Sequence, residues 1–374
     1  MGKKWDGLES LINMVTSSDL QCGFEELSLK LRQSVKLDHL FALTDSNALL
    51  QHATFSVPAR KEGYTVDDNA RALVFAVKAH ALWPSKRLSE LQHKLISFLL
   101  LMQAEDGRFH NFMDFSQRLI DEPAVGDHVG RAIWAAGSVI NAGMPRGMKG
   151  TARLMFDRAL PWARESTSPR TKAYACLGLH ERLQVEAEDS NLRTNLKAMA
   201  DSLIQLYDFN RTSGWEWFEN ILTYDNPRLN QALLAAFQSL GEKRYLTVAE
   251  ETLRFLKNNT TIGETYVPIG SGGWYPKGGE RALYDQQPIE AGAMVEATAL
   301  AYKVTRSEVY EATLRQAFGW FLGQNTKSVT VYDESTGASY DGINKMGLNE
   351  NQGAESTLAF LLAAATFIET FRGE

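Results

Sequence analysis

Clusters of acidic, amide and arginine side chains open several helix-length segments of this sequence. In the clearest case, VDDNAR at positions 66–71 precedes an almost wholly apolar stretch that ends near Trp83. A single Asp at a helix start usually caps free backbone N–H groups, and the helix dipole favours its charge there. Because the same kind of cluster opens several later segments, capping alone does not explain the pattern.

These clusters contain the groups that acid and base catalysis needs. When two carboxyl groups lie close together, the pKa of one rises, so a protonated acid can stand beside an ionised base. Such a pair cleaves glycosidic bonds, and the separation of the two groups decides between inversion and retention. The segment openings offer four candidates for this pair, which are Asp68, Asp127, Asp225 and Glu290. Glu219 and Glu355 are reserve candidates.

Helical geometry predicts which of these groups meet. Asp68 and Arg71 are three residues apart and should pair on one helix face, whereas Asp67 is rotated away from that face and suits the cap. Asp127 and Arg131 are four residues apart and should repeat the pairing. We therefore expect two similar ion pairs at the starts of two neighbouring helices.

The later candidates are placed by other signals. Pro227 in a first turn makes Asp225 or Asn226 the N-cap of its helix. Glu290 falls in the first turn of the segment that begins QQPIEA, and Glu355 is expected one turn or more inside its helix. An acid in an otherwise apolar helix is not easily explained as solvated surface, so both glutamates are weighed as functional groups.

Apolar segments of helical length recur six times along the chain. They span 67–83, 127–142, 168–184, 226–240, 286–305 and 349–371, and their apolar residues cover more than one face, as in helices that are buried all round. Between them lie five amphipathic segments, at 89–103, 148–164, 191–207, 243–257 and 308–324. This alternation predicts an internal repeat of helical hairpins.

A sixth amphipathic partner must come from the N-terminal region, where residues 7–15 and 24–35 both suit a helix. If the first helix packs beside the last, the hairpins close into a ring. We therefore predict an all-α (α/α)6 toroid as a single domain over residues 1–374, with residues 1–40 supplying the outer helix that closes it. An open solenoid or a two-domain helical protein is the alternative.

Loop lengths give the ring a direction. Connections from an outer helix to the next inner one are mostly long, and they combine aromatic, Gly and acidic residues, some of them suited to short β-hairpins. Aromatic faces stack on sugar rings, while acids, amides and Arg bind sugar hydroxyl groups. The predicted substrate-binding residues at this end of the ring are Tyr64, Asp67, Asn69, Arg71, His128, Arg131, Trp215, Glu219, Asn226, Arg228, Trp274, Gln286, Gln287, Asp341, Asn349, Gln352 and Glu355.

Composition narrows the function classes. The net charge is -6 and no basic stripe is present, which argues against nucleic acid or an anionic membrane surface as partner. We expect no membrane span, because we find no run of about 18 apolar residues, and the N-terminus lacks the apolar stretch of a secretory signal. Cys22 and Cys176 are interpreted as reduced core residues of a cytoplasmic protein. The seven His show no metal-ligand spacing, so we expect neither a metal nor another cofactor.

Four stretches of the sequence, in order, resemble a bacterial family of six-hairpin toroid proteins. They are residues 51–73, LTYDNPRL at 222–229, DQQPIEA at 285–291 and NQGAEST at 351–357. Members of this family are described as glycosidase-like, and some form the C-terminal part of glycosyltransferase chains. The resemblance implies the (α/α)6 fold, a role in carbohydrate handling and a glycosyltransferase as a partner. The adjacent Asp67 and Asp68 are also similar to the paired aspartates of endo-α-mannanases with this fold.

From these features we expect a glycoside hydrolase that acts on an oligosaccharide or glycoconjugate, with inversion favoured by analogy with toroid glycosidases. Two other enzyme classes remain open. A phosphorylase would use the Arg residues to bind phosphate, and an epimerase would need two His, for which His52, His110 and His128 are available. A non-catalytic glycan-binding partner of a glycosyltransferase is the alternative from a different class, and it would bind glycans without turnover.

Overall fold

The structure, a computed structural model, describes residues 23–372, which are mostly helical. Six helices with buried bodies are α3 (Val66–Leu82), α5 (Asp127–Asn141), α7 (Pro169–Leu183), α9 (Pro227–Leu240), α11 (Pro288–Thr305) and α13 (Ala354–Phe371). Six amphipathic helices are α1 (Gly23–Ser34), α4 (Lys86–Met102), α6 (Arg146–Glu165), α8 (Ser190–Asn210), α10 (Lys243–Asn259) and α12 (Glu308–Phe321). A short helix, α2 (Asp38–Leu43), and a 3-10 turn (Arg60–Glu62) lie between α1 and α3.

The buried helices form a closed inner ring. Each packs against the next in the order α3, α5, α7, α9, α11 and α13, and α13 packs back against α3. Each outer helix lies against the inner helix of its own hairpin, and α1 covers α13. The protein is therefore an all-α (α/α)6 toroid, as the alternation of buried and amphipathic segments predicts.

Burial follows the apolar pattern of each helix. Almost every residue of α13 is buried, because its sequence is apolar on all faces. The outer helix α4 buries a single stripe, to which these leucines contribute: Leu88, Leu91, Leu95 and Leu99. The inner helices thus build the core, and the outer helices shield it from solvent.

Two inner helices, α5 and α7, approach each other closely through glycine. A Cβ atom at Gly137 would lie 2.3 Å from the carbonyl oxygen of Gly178, and one at Gly178 would lie 2.4 Å from that of Ile133. Gly130 is similar, because its Cβ would lie 2.5 Å from the carbonyl oxygen of Thr171. A side chain at any of these three glycines would force the two helices apart.

Short antiparallel strand pairs lie mostly within the long connections. They are β1 (Ala53–Thr54) with β2 (Val57–Pro58), β3 (Tyr64–Thr65) with β4 (Phe112–Met113), β5 (Ile221–Leu222) with β8 (Tyr275–Pro276), β6 (Thr261–Ile262) with β7 (Thr265–Tyr266), β9 (Tyr332–Asp333) with β10 (Ala338–Ser339), and β11 (Gly342–Ile343) with β12 (Leu348–Asn349). The predicted hairpins are present, while β3–β4 and β5–β8 tie separate connections together.

Some sequence-based boundaries differ from the structure. The last inner helix begins at Ala354 rather than near Asn349, because residues 348–349 pair with residues 342–343 as strands. The outer helix that covers α13 matches the predicted segment 24–35. The other predicted N-terminal helix, 7–15, and Cys22 lie outside the described residues.

Helix α13 is long and apolar enough to cross a membrane by length and composition alone. The expectation that no such run exists in the sequence is therefore wrong. Within the toroid, 83% of this 18-residue window is buried. A helix of the inner ring needs the same apolar composition, because neighbouring inner and outer helices cover most of its surface.

Candidate active site

The N-terminal ends of the inner helices lie at one end of the ring, together with the long connections. These connections cover residues 103–126, 211–226, 260–287 and 322–353. Short connections, such as residues 83–85 and 241–242, lie at the other end. We call the first end the mouth, and it carries most of the acids and arginines that the sequence singles out.

Two arginines hold the carboxylates at the start of α3. Arg71 Nη2 lies 2.9 Å from Asp68 Oδ1, and Arg71 Nη1 lies 2.8 Å from Glu355 Oε2. Arg131, on the neighbouring helix α5, donates to Asp67 Oδ1. The predicted pair between Asp68 and Arg71 is thus present, and it gains Glu355 as a third member.

Asp67 faces the mouth and does not cap its helix. The cap of α3 is Thr65, whose Oγ1 accepts the N–H of Asp68 at 3.1 Å, so the prediction for Asp67 is wrong. Asp67 Oδ2 instead accepts Nδ2 of Asn111 at 3.1 Å. Its side chain remains 25% exposed. The loop that carries Asn111 therefore holds an accessible carboxylate in place.

The two consecutive aspartates are perturbed in opposite directions. Burial raises the pKa of Asp68, and the ion pair with Arg71 offsets this only in part. Burial also acts to raise the pKa of Asp67, but Arg131 and Arg71 outweigh it and hold that pKa below its ordinary value. Asp67 is therefore ionised at neutral pH, and Asp68 is the more easily protonated of the two.

Asp127 does not pair with Arg131, although they are four residues apart on α5. Asp127 Oδ1 accepts hydrogen bonds from Ser168 Oγ at 2.7 Å and Thr171 Oγ1 at 3.0 Å, and its Oδ2 accepts one from the Tyr224 hydroxyl. Burial, together with the charge of Asp127, raises the pKa of that tyrosine. As the first residue of its helix, Asp127 turns towards α7, whereas Arg131 reaches back to α3.

A second pair of acids lies buried below the mouth. Asp225 and Glu290 are 0% and 2% exposed, and the Asp225 N–H donates to Glu290 Oε1. Burial, followed by the charge of Asp225, raises the pKa of Glu290 to about 8. Asn226 Nδ2 also donates to Glu290, at 3.1 Å. Glu290 is therefore mainly protonated at neutral pH, and neither acid has surface open to a substrate.

Arginines continue this charge network along the axis of the ring. Arg131 Nη2 lies 3.8 Å from Asp225 Oδ2, and Arg228 Nε lies 3.3 Å from Asp225 Oδ1. Arg228 also binds Glu296 on α11. Burial nevertheless raises the pKa of Asp225. Among residues 23–372, no group of three or more His, Cys, Asp or Glu side chains is arranged to hold a metal ion.

Of two further predictions about helix starts, the N-cap position of Asn226 is confirmed and the position of Glu355 is corrected. Asn226 occupies the N-cap position of α9, but its Oδ1 accepts the loop N–H of Thr223 at 3.1 Å, so it makes no side-chain cap. Glu355 is the second residue of α13 and is 41% exposed, because that helix begins later than expected. Glu355 is therefore an accessible group at the mouth rather than an acid inside an apolar helix.

Several predicted substrate-binding residues are buried and engaged within the protein. Those less than 5% exposed, apart from the arginines and Asn226, are Tyr64, Asn69, Trp215, Gln286 and Gln352. Asn69, for example, bonds to the backbone of Leu49, and Gln352 donates to Asp333. Trp215 packs edge-on against Tyr275. These residues shape the loops of the mouth and present no surface for a glycan.

The remaining predicted residues lie on or beside the mouth loops. Glu219 accepts two hydrogen bonds from Arg170, at 3.2 and 3.0 Å, and His128 is buried with Nε2 3.3 Å from Phe109 O. Trp274, Gln287 and Asp341 are half-buried, and Asn349 is exposed. No hydrogen bond or ion pair joins these side chains to Asp67 or Asp68 among the described residues.

Three residues of this network were missed by the sequence analysis: Asn111, Tyr224 and Glu296. Glu296 could have been found, because it is an acid inside an apolar helix, the same signal that singled out Glu290. Asn111 lies in the aromatic stretch FHNFMDF, and Tyr224 directly precedes Asp225. For these two residues, the sequence shows polar neighbours along the chain but does not reveal their partners, which are Asp67 for Asn111 and Asp127 for Tyr224.

A cavity of about 1550 Å³ lies at the other end of the ring, between the C-terminal halves of the inner helices. We call it the rear cavity. Gln231 and Glu296 line it and both bind Arg228, so the cavity adjoins the buried charge network. No motif in the sequence predicted this space.

Comparison with solved structures identifies other proteins of this fold. A sugar epimerase from a ruminal bacterium matches with a TM-score of 0.73 and 12% identity, over 93% of this chain and 99% of that chain. Cellobiose 2-epimerase from Bacillus thermoamylovorans B4167 matches with a TM-score of 0.72 and 10% identity, over 92% of this chain and 99% of that chain.

A third structure is an inactive variant of GH76A α-1,6-mannanase from Salegentibacter sp. HEL1_6, solved with α-1,6-mannotriose. It carries Asn in place of two consecutive Asp, and it matches with a TM-score of 0.61 and 12% identity, over 92% of this chain and 99% of that chain. No protein-family model and no curated protein matches the sequence. At these identities the likeness shows the fold alone, which is the six-hairpin toroid.

Proposed function

We propose that this protein is a glycoside hydrolase that cleaves an α-linked oligosaccharide at the mouth, with Asp67 and Asp68 as the catalytic pair. The observation that carries the proposal is the different setting of these two consecutive carboxyl groups at the start of an inner helix: Asp67 is 25% exposed and bound by Arg131, while Asp68 is 8% exposed and bound by Arg71. The toroid mannanase that is inactive after two consecutive Asp-to-Asn changes supports it. Asp67 thereby moves from a predicted binding residue to a catalytic one.

The two aspartates suit the two halves of an inverting hydrolysis. Asp67, kept ionised by Arg131, accepts a proton from water while the water oxygen bonds to the anomeric carbon. Asp68, whose pKa is raised, gives its proton to the leaving oxygen as the glycosidic bond breaks. The hydrolysed products leave, and exchange with solvent returns each group to its starting protonation state.

Neighbouring groups would position the substrate. Glu355 is the more exposed partner of Arg71, and its carboxylate can accept hydrogen bonds from sugar hydroxyl groups. Asn111 fixes the orientation of Asp67 from the opposite loop. Asp127 and Tyr224 extend the polar surface of the mouth towards α7. Together these residues surround the catalytic pair on several sides.

Sugar epimerisation is the second candidate, because the two epimerases match this fold with TM-scores of 0.73 and 0.72. This reaction needs groups that remove and return a proton on the sugar. Of the His residues weighed for it, His128 is buried, and His110 Nδ1 lies 2.6 Å from Asp121 O. His52 is exposed. These histidines support epimerisation less well than the aspartates support hydrolysis.

The test is the release of reducing sugar from α-1,6-mannotriose and from a panel of α- and β-linked manno-, gluco- and galacto-oligosaccharides, with and without phosphate. Wild type is compared with Asp67→Asn, Asp68→Asn and the control Asp208→Asn, whose side chain is exposed on the outer helix α8. We expect release without phosphate by wild type and control, and its loss in both mouth variants.

Each alternative has its own signature in the same experiment. A strict phosphate requirement would indicate a phosphorylase. Conversion of cellobiose or mannose to an epimer, without release, would indicate an epimerase. Saturable glycan binding without turnover, unchanged in Asp68→Asn, would indicate a binding module and refute the hydrolase.

A further inference from the structure

Two carboxyl groups at the mouth share a single cation. Arg71 Nη2 donates to Asp68 Oδ1 at 2.9 Å, and Arg71 Nη1 donates to Glu355 Oε2 at 2.8 Å. The third nitrogen of this guanidinium, Nε, is buried and has no hydrogen-bond partner among the described residues. Neither carboxylate therefore receives the two parallel hydrogen bonds that Arg makes when it binds one carboxylate alone.

The two carboxyl groups differ in their access to water. The Asp68 side chain is 8% exposed, whereas that of Glu355, at the start of α13, is 41% exposed. Thr65 Oγ1 donates to Asp68 Oδ2 at 2.7 Å, so both Asp68 oxygens are held within the protein. A negative charge costs more free energy where water is excluded. When one cation serves both groups, the buried Asp68 is therefore the one that more readily takes up a proton.

The remaining charges near Asp68 act on it less strongly. Arg131, on α5, donates to Asp67 and is thus engaged by another carboxylate. Burial is the largest influence on the pKa of Asp68 and raises it. Arg71 lowers that pKa, while the charge of Glu355 raises it, more strongly than the charge of Asp67 does. Two further titratable groups face this network, from α5 and from the connection before α9: His128 and Asp225.

We propose that Glu355 is a positioning residue that keeps Asp68 available as a proton donor, by holding one side of the Arg71 guanidinium away from it. This inference rests on the proposed hydrolysis, in which Asp68 protonates the leaving oxygen. Glu355 gives up no proton in that step and forms no bond to the sugar carbon. Without its charge, Arg71 would serve Asp68 alone and favour the ionised form, which cannot donate a proton.

Nuclear magnetic resonance titration of the Asp68 carboxyl carbon tests the inference without a substrate. The signal is assigned as the one that is missing from Asp68→Asn. Glu355→Gln keeps the side-chain length and an oxygen that can accept from Arg71, but it removes the charge. The Asp68 titration midpoint should therefore move to lower pH in Glu355→Gln. A midpoint that stays in place, or moves to higher pH, would overturn the proposal.

The control for this titration is Glu350→Gln. It removes the same charge from an exposed position in the connection before α13, and no ion pair joins Glu350 to Arg71 among the described residues. Asp68 should titrate in this control as it does in wild type. An equal shift in Glu350→Gln and Glu355→Gln would reveal a general charge effect and overturn the proposal.

A double variant tests the part played by Arg71. Lys carries the same charge on a single ammonium group, so Arg71→Lys removes the two-armed geometry that the carboxylates divide. In that background, Glu355→Gln should move the Asp68 midpoint less than it does in wild type. An equal movement in both backgrounds would show that Glu355 acts on Asp68 directly rather than through Arg71, which would also overturn the proposal.

The pH dependence of kcat/KM connects the inference to catalysis, on any oligosaccharide of the panel that wild type hydrolyses. In Glu355→Gln the fall in rate at high pH should begin at lower pH, because the acid loses its proton earlier. A higher KM with an unmoved pH profile would make Glu355 a sugar-binding group only and overturn the proposal. If no oligosaccharide is hydrolysed, the proposed function fails, while the titration of Asp68 still decides how Glu355 acts on it.

Discussion

Replacing Arg131 by Met should lower the free energy of unfolding, because buried carboxylates lose their positive partner. The Arg131 side chain is 5% exposed and contacts both Asp67 and Asp225, and Asp225 has no exposed surface of its own. Removing one partner of a buried ion pair costs about 3–5 kcal/mol, because the other charge is left uncompensated. The control Arg244→Met breaks a pair in which the Arg side chain is 47% exposed, and it should cost about 0–1 kcal/mol.

Urea unfolding at pH 5 and pH 8 measures this deficit and its cause. The pKa of Asp225 is raised in the folded state, so folding takes up a proton. The contribution of Asp225 to stability is therefore largest at low pH and is lost as pH rises through its folded-state pKa. The deficit of Arg131→Met should therefore be smaller at pH 5 than at pH 8. It should also shrink in the double variant with Asp225→Asn. An equal deficit at both pH values, unrelieved in the double variant, would refute the reasoning.

Three further predictions concern single residues. Asp67→Asn should lower the rate of sugar release by about 10²- to 10⁴-fold in protein that is still folded, because a general base is lost, and its urea midpoint should also fall, because Arg131 loses an ion-pair partner. Burial and the charge of Asp225 raise the pKa of Glu290 to about 8, so wild type should lose stability as pH rises towards that value. In Glu290→Gln the urea midpoint should therefore decline less between about pH 5 and pH 8. Gly178→Ala should destabilise the protein by about 1–3 kcal/mol in urea unfolding, since its Cβ would meet Ile133 O.

Controls separate these effects from general damage. Activity of Asp67→Asn within threefold of wild type would exclude this residue as the base. A pH profile of Glu290→Gln that matches wild type would show that Glu290 does not take up the proton. Gly143→Ala should leave the midpoint unchanged, because no atom lies within 4 Å of its Cβ, and equal loss in both glycine variants would contradict the close approach of α5 and α7.

The toroid could be predicted from sequence because the two helix layers have different apolar patterns. Inner helices such as α13 are apolar all round, while outer helices such as α4 bury one stripe. Local spacing fixes these patterns, so neither requires knowledge of the partner helix. The start of α13 was misplaced because β12 is set by pairing with β11, a contact that depends on a separate loop segment.

The site was predictable only where its contacts are local. Asp68 and Arg71 meet because three residues bring them to one face, and the structure contains that pair. Arg131 was assigned to Asp127 by the same rule, but its long side chain crosses to Asp67 on another helix. Polar residues at a helix start also look alike in sequence whether they face solvent, as Asn349 does, or are buried. Only tertiary packing separates these cases.

The bridge from Arg71 to Glu355 joins residues 284 positions apart. As the ribosome extends the chain, the first inner helix is made long before the last, so Arg71 cannot pair with Glu355 until the last inner helix has been made. Contacts of such long sequence separation form late and slow folding. The first and last inner helices therefore meet beside Asp68, so the ring closes and the surroundings of Asp68 are completed in the same step.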